Sequence, residues 1–137
     1  MVERFSATLD AGLLQRFDRF LDNHGYENRS EAVRDLIRRA LVEAEWQGGK
    51  APVMGVITLV YDHHQRNLLN RMTQIQHDTQ ASIISTTHVH MDHHNCLEII
   101  IVKGRPSKIR TLADRLMTLK GVKSGQLSAA TTGKELI

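Results

Sequence analysis

"ASIISTTHVHMDHHNCLEIIIVKG", residues 81–104, contains two runs rich in β-branched residues separated by a short polar one. The runs 81–90 and 96–104 read as strands, and "MDHHN" between them reads as a turn, so the segment is a β-hairpin. Side chains two apart on a strand share a face, which aims His88 and His90 to one side and Val89 to the other. With Cys96 opposite His90 across the loop, its sulfur lands on the histidine face, and Glu98 lies opposite His88. Two imidazoles and a thiolate on one face form a metal-ligand set. Glu98 is placed to accept the second ring N–H of a ligating histidine. Histidines are common on solvated turns and a lone cysteine is often a small buried hydrophobe. His93 and His94, at the loop tip, take that plainer reading.

The flanks extend the hairpin into a domain. "VMGVITLVY" (53–61) is a strand, and residues 63–79 read as a helix with Leu68, Leu69, Met72 and Ile75 inward. "SKIRTLADRLMTLKG" reads as a helix with Ile109, Leu112, Ala113, Leu116 and Leu119 inward, closed by Gly121. "VKSGQLSAA" is a last strand, and "TTGKELI" a loose tail. The order β-α-β-β-α-β is that of a ferredoxin-like sandwich with helices on one sheet face, an α+β fold.

The first fifty residues have a different character. "RFSATL" alternates, with Arg4, Ser6 and Thr8 on one face and Phe5, Ala7 and Leu9 on the other. Asp10 is an N-cap for a helix whose stripe is Leu13, Leu14, Phe17, Phe20 and Leu21, ending near Gly25. Asn28, with Glu31 three residues on, opens a second helix that places Ala32, Val33, Leu36, Ile37, Ala40 and Leu41 inward. One short strand with open edges and two helices are too little to stand alone. A homodimer solves this by pairing two copies of the strand into an antiparallel ribbon. Its apolar side then faces the four helices, and Arg4, Ser6 and Thr8 face outward. A two-stranded ribbon fits the major groove of double-stranded DNA, where Arg can grip guanine and Ser/Thr reach base edges. A solvated strand face is the plainer alternative. "QGGKAP" (47–52) is a linker by composition, giving a division into residues 1–48, a linker at 49–52 and a domain over 53–137.

The bulk numbers limit the remaining classes. The 137 residues suit one medium or two small domains. No apolar run is long enough to cross a membrane, and no secretory leader is expected. A single cysteine excludes an intrachain disulfide and suits a reducing cytoplasm. Residues 1–50 carry eight Lys/Arg against nine Asp/Glu, and residues 51–137 carry ten against six. Bulk charge therefore gives no argument for DNA binding by the N-terminal part; the argument rests on where particular side chains point.

From "RFSATLD" through "YENRSEAVRDLIRRAL" and "THVHMDHHNCLEIIIVKG" to "GVKSGQL", the chain resembles the nickel-responsive transcriptional regulator family. The spacing H-x-H-x₅-C with a histidine eleven residues upstream is specific, and "NRSEA" is typical of ribbon-helix-helix modules. The resemblance implies homotetramers whose regulatory domains take the ACT form of the ferredoxin-like fold. It implies that His88, His90 and Cys96 are ligands from one subunit and that His77 is the ligand from a neighbour. It also makes Arg4, Ser6 and Thr8 base-reading positions, with Ser6 standing where a threonine is expected, so the preferred operator can differ. Three imidazoles and a thiolate in a plane suit Ni(II) or Cu(II), whereas zinc prefers a tetrahedron; copper would bind more tightly by the Irving–Williams order. The implied function is a nickel-responsive repressor of nickel uptake that binds a palindromic operator. The ligand set has no spare water position with a base beside it, which argues against an enzyme.

Lesser candidates complete the reading. Glu31 and Asp35 match family positions for a second, hard-cation site, and equally form a solvated helical pair. Arg29, Ser30 and Arg34 sit where a helix N-terminus can hold phosphate. Asp62, His63, His64 and the loop histidines could bind excess metal weakly but are expected in solvent, and Trp46 packs near the hinge. Two competing readings are an amino-acid-binding ACT-domain regulator with incidental histidines, and a metallohydrolase or metal store with a vestigial dimerisation module.

Overall fold

A computed structural model describes residues 1–136, which fall into two compact units, Met1–Ala40 and a second that begins at Leu41. The first unit holds helix α1 (Ala11–His24) and most of α2 (Arg29–Gly48), whose last turns belong to the second unit. The expected caps form. The Asp10 carboxylate accepts from the N–H groups of Gly12 (2.8 Å) and Leu13 (3.4 Å), satisfying donors that the helix cannot. Gly25 closes α1 in the left-handed region at φ 74°. The Asn28 side chain accepts from Glu31 N–H at 2.9 Å. Arg29 reaches back to α1 with two 2.9 Å bonds to Asp18, whose carboxyl is thereby held below its ordinary range.

Two expectations fail in the single chain, for one reason. Residues 1–10 form neither helix nor strand, and Arg4, Ser6 and Thr8 are exposed along with Phe5 and Leu9. A strand needs a hydrogen-bonded neighbour, and this unit offers none. The inward stripe expected on α2 is likewise open: Ala32 is buried, but Leu36, Ile37 and Leu41 are exposed, as is Leu13 of α1. Two helices have too little surface between them to cover both stripes.

The second unit is built on β1 (Val53–Asp62), α3 (Leu68–Asp78), β2 (Ser82–His90), β3 (Asn95–Gly104), α4 (Pro106–Met117) and β4 (Val122–Ala129). The β-α-β-β-α-β order is the expected one. The strands form one antiparallel sheet in the order β2-β3-β1-β4. Strict alternation of buried and half-buried residues along β1 marks one covered face. There Ile57, Leu59 and Ile100 of the sheet meet Met72 of α3 and Ile109 and Leu116 of α4. Residues 131–136 of the tail carry no helix or strand, and Ile137 lies outside the described residues.

The helix expected over 63–79 begins only at Leu68. The Asp62 carboxylate accepts from His64 N–H at 2.9 Å, and Asn67 takes φ 64°, so residues 63–67 are spent on turns. Leu69, expected inward, is exposed, while Leu68, Met72 and Ile75 are buried. Trp46, on the last turns of α2, is buried in the core of the second unit. Its indole N–H donates to the Ala130 carbonyl at 2.8 Å, and the Arg110 guanidinium lies 5.5 Å over its ring. We expect Trp46→Ala to cost about 3–5 kcal/mol of stability, by analogy with other buried aromatics. Trp46→Phe, which loses chiefly the hydrogen bond, should cost about 1 kcal/mol. Urea denaturation followed by circular dichroism measures both; equal losses would show that the hydrogen bond, not the packing, holds this helix end.

Candidate metal centre

Strand register puts the candidate ligands in rows. His90 of β2 pairs with Cys96 of β3, which pairs in turn with Tyr61 of β1. His88, Glu98 and Leu59 form the next row. The expected hairpin pairings, His90 with Cys96 and His88 with Glu98, are therefore those observed. The loop between them is held by its own hydrogen bonds. The Asp92 carboxylate accepts from the N–H groups of His94 (2.9 Å) and Asn95 (2.8 Å), and Lys123 donates to the Asn95 side chain at 2.6 Å. His93 and His94 at its tip are exposed, as expected.

Cys96 is fully buried. Its sulfur lies 3.4 Å from Nδ1 of His90 and 3.3 Å from Nδ1 of His63. Ligand atoms of His63, His90 and Cys96 all lie within 4.8 Å of one another, a grouping able to hold a metal ion. His88 stands beside His90, with ring centroids 4.9 Å apart, but its Nδ1 is turned to the Tyr61 hydroxyl at 3.3 Å. His77 occupies the last turn of α3, exposed and outside the cluster.

His63 was expected in solvent, yet it is half-buried against the cysteine, unlike the exposed His64 beside it. One signal for this was available. His63 has the same parity as Tyr61 and stands one step past the end of β1, beside the strand that carries Cys96. The expectation of a helix from residue 63 concealed it. The backbone fixes it now: His63 N–H donates to the His94 carbonyl at 3.1 Å, and Asp62 N–H donates to that of Gly121 at 3.2 Å.

The electrostatics fit a cation. Burial, reinforced by the carboxylates of Asp92, Glu98 and Asp62, pushes the Cys96 thiol above its ordinary pKa. Burial also raises Glu98, opposed by the charge of His88, and its Oε2 is buried without a hydrogen-bond partner. Burial, then Glu98 and Cys96, raise the Tyr61 phenol. Burial and the neighbouring His64 and His90 lower His63, favouring the neutral imidazole that a metal requires. A neutral thiol and an orphaned carboxylate oxygen are the groups that a nearby divalent charge would relieve.

The remaining candidates stand apart. Asp35 accepts from the Tyr26 hydroxyl at 3.0 Å and lies 3.5 Å from Arg38, while Glu31 is exposed. Ser30 and Arg34 are exposed, and the fork of Arg29 is engaged by Asp18.

Residues 54–130 match the family model described as the NikR C-terminal nickel-binding domain. A relative from Pyrococcus abyssi (strain GE5 / Orsay) is 52% identical over 134 residues, 98% of this chain and 97% of its own. One from Nitratidesulfovibrio vulgaris (strain DSM 19637 / Miyazaki F) is 50% identical over 133 residues, 97% of this chain and 96% of its own. Both carry the provisional name of nickel-responsive regulator. Among solved structures, the ACT domain from GTP pyrophosphokinase of Chlorobium tepidum is 18% identical, covering 57% of this chain and 100% of its own at a TM-score of 0.49.

Cys96 is the single thiol of the chain, so any thiolate-to-metal charge-transfer band reports on this site alone. Titration with Ni(II) is expected to raise such a band to a stoichiometric end point, and Cys96→Ser to abolish it. A band that survives the substitution would remove the cysteine from the ligand set.

Proposed function

The chain belongs to the nickel-responsive regulator family, and from that premise we propose that it is a repressor of nickel-uptake genes that binds a palindromic operator when Ni(II) is bound. The observation that carries this reading is the convergence on one hairpin face of the donors that nickel favours. His90 and Cys96 are paired across the strands, with His88 two residues from His90. We assign the nickel ligands as His88, His90 and Cys96 of one subunit and His77 of a neighbouring subunit in a homotetramer. The Glu98 carboxylate, in register with His88, serves as the acceptor that orients that histidine. Relatives named as regulators support a regulator rather than an enzyme, and no described helix is long and apolar enough to cross a membrane. A cytoplasmic site of action follows from the DNA target.

The N-terminal unit supplies the DNA interface in this reading. Its open apolar stripe (Leu13, Leu36, Ile37) and the exposed Phe5 and Leu9 are what a second copy would cover. Residues 4–9 of two copies then pair as the ribbon of a ribbon-helix-helix dimer, with residues 1–48 as DNA-binding domain, 49–52 as linker and 53–137 as ACT-like regulatory domain. Arg4, Ser6 and Thr8 read base edges in the major groove. Ser30 and Arg34, at the start of α2, hold phosphate, and Arg29 fixes that end of the helix through Asp18. Glu31 and Asp35 remain the candidates for a second, hard-cation site.

Nickel, when bound, would supply the bond that joins the hairpin of one subunit to another subunit's α3. His77 can make it, because it is exposed on the last turn of that helix and belongs to no metal-ligand cluster among the described residues. His88 must exchange its Tyr61 hydroxyl contact for the site. Ordering the subunit junction shifts the population of tetramer conformations in which two ribbon dimers engage one operator. The second dimer then binds at a high effective concentration. By reciprocity, operator DNA tightens nickel binding.

Two experiments test this mechanism. His77→Ala should keep the fold and the tetramer while losing nickel-dependent operator binding, measured by nickel titration and a DNA shift assay. Full nickel-dependent binding in that variant would sink the cross-subunit mechanism. Arg4→Ala should cost about 1–3 kcal/mol at a specific operator and flatten the preference at one base position in each half-site. Selection from a palindrome library with and without Ni(II) reads this out, and an unchanged preference would rule out the ribbon as the reading element.

A further inference from the structure

Away from the metal centre, the second unit holds a cavity of about 210 Å³ between the end of α3 and one face of α4. Asp78 and Thr79 line it from the α3 side, and Lys108, Thr111 and Arg115 from α4, beside the buried Leu112. We propose that this cavity binds a small acidic amino acid, a ligand with one ammonium group and two carboxylates. It shares no residue with the cluster of His63, His90 and Cys96, so the proposal stands apart from the nickel reading.

Helix geometry sets the spacing of the charges. Residues 108, 111, 112 and 115 fall three or four apart and so share one face of α4. Lys108 and Arg115 stand about two turns apart, roughly 10 Å along the axis, with Thr111 and Leu112 between them. Asp78 is the last residue of α3, where its carboxylate accepts from the Gln74 amide at 2.9 Å. Although their signs are opposite, Asp78 forms no ion pair with Lys108 or Arg115 among the described residues. The cavity holds them apart, and a ligand that carries both signs satisfies all three at once.

Charge and size together define the ligand class. Two cations, Lys108 and Arg115, against one carboxylate, Asp78, give the lining a net charge of +1, which a ligand of net −1 matches. A plain dicarboxylate would leave Asp78 facing an anion, and a diamine would face two cations. The α3 side favours the ammonium group. There the helix ends at Thr79 in an extended conformation, without the left-handed cap that would bond its last carbonyls, and its dipole is negative. The Arg115 fork takes one carboxylate in bidentate fashion, and Lys108 takes the other as a point charge on a flexible stem. The Thr111 hydroxyl donates to the Ser107 carbonyl at 2.9 Å and so remains an acceptor, whereas Thr79 accepts from Ala81 N–H at 3.2 Å and keeps its proton to donate. The volume lies below the roughly 300–1,000 Å³ of sites for drug-sized molecules, which limits the ligand to the size of a single amino acid.

The test is isothermal titration calorimetry of the full chain, freed of metal on a chelating resin, with L-glutamate and with glutarate, which lacks the ammonium group. L-glutamate should bind at least about tenfold more tightly than glutarate, the scale of one hydrogen bond to a charged group. Asp78→Asn should bring the two affinities within about twofold of each other. Arg115→Ala should weaken L-glutamate at least about tenfold, and Lys108→Ala gives a second variant for the same side of the cavity. Arg66→Ala, an exposed cation outside the cavity, should leave both affinities unchanged and so separates a site from general charge attraction. Circular dichroism checks the fold of each variant. No binding of L-glutamate at millimolar concentration, equal binding of glutarate, or an affinity indifferent to Arg115→Ala and Lys108→Ala would overturn the inference.

Discussion

The site depends on the register of three adjacent strands. Cys96 on β3 stands between His90 on β2 and Tyr61 on β1, and a slip of one residue in either pairing would turn the sulfur or its histidine to the opposite face. The buried alternation of β1 prevents such a slip, because moving that strand would expose Ile57, Leu59 and Tyr61 together. The hydrophobic core, which includes Tyr61 and Cys96, thereby fixes where the exposed His90 stands. The loop adds a second restraint, since Asp92 gathers the N–H groups of His94 and Asn95 and determines where the return strand starts.

That register brings to the thiol more imidazoles than one ion needs from a single chain. His63 and His90 both approach the sulfur, and His88 waits one row away on the Tyr61 hydroxyl. Burial and nearby carboxylates hold the thiol neutral, so the protein alone does not produce a thiolate there. A divalent cation beside the sulfur would favour it.

The first unit shows the opposite situation, in which surfaces rather than ligands are in excess. Leu13, Leu36 and Ile37 lie open, and the alternating segment before α1 has no strand beside it. The helices are well capped, by Asp10, Gly25 and Asn28, so local structure is complete while burial is not. In the proposed dimer such a unit would be stabilised by association, which would tie its folding to its assembly. The end of α2 differs, because Trp46 is buried in the second unit and bonded to Ala130.

The sequence by itself determined the elements and the hairpin. The apolar run 53–61 gave β1, alternation in the hairpin gave the pairing of His90 with Cys96, helical spacing gave Met72, Ile109 and Leu116 as core, and Asp10, Gly25 and Asn28 marked helix ends. These are signals carried by neighbours in the chain, where periodicity and capping act. Only the tertiary structure decided the rest. The start of α3 moved to Leu68 because the Asp62 carboxylate found the His64 N–H and Asn67 took a left-handed conformation, competing interactions that helical spacing does not register. That shift freed His63 to pack against a cysteine 33 positions away, held by a bond to His94 that no local pattern encodes. Leu69 and the α2 stripe remained exposed for a related reason: periodicity states which face a helix would bury, and only the presence of a covering surface states whether it is buried.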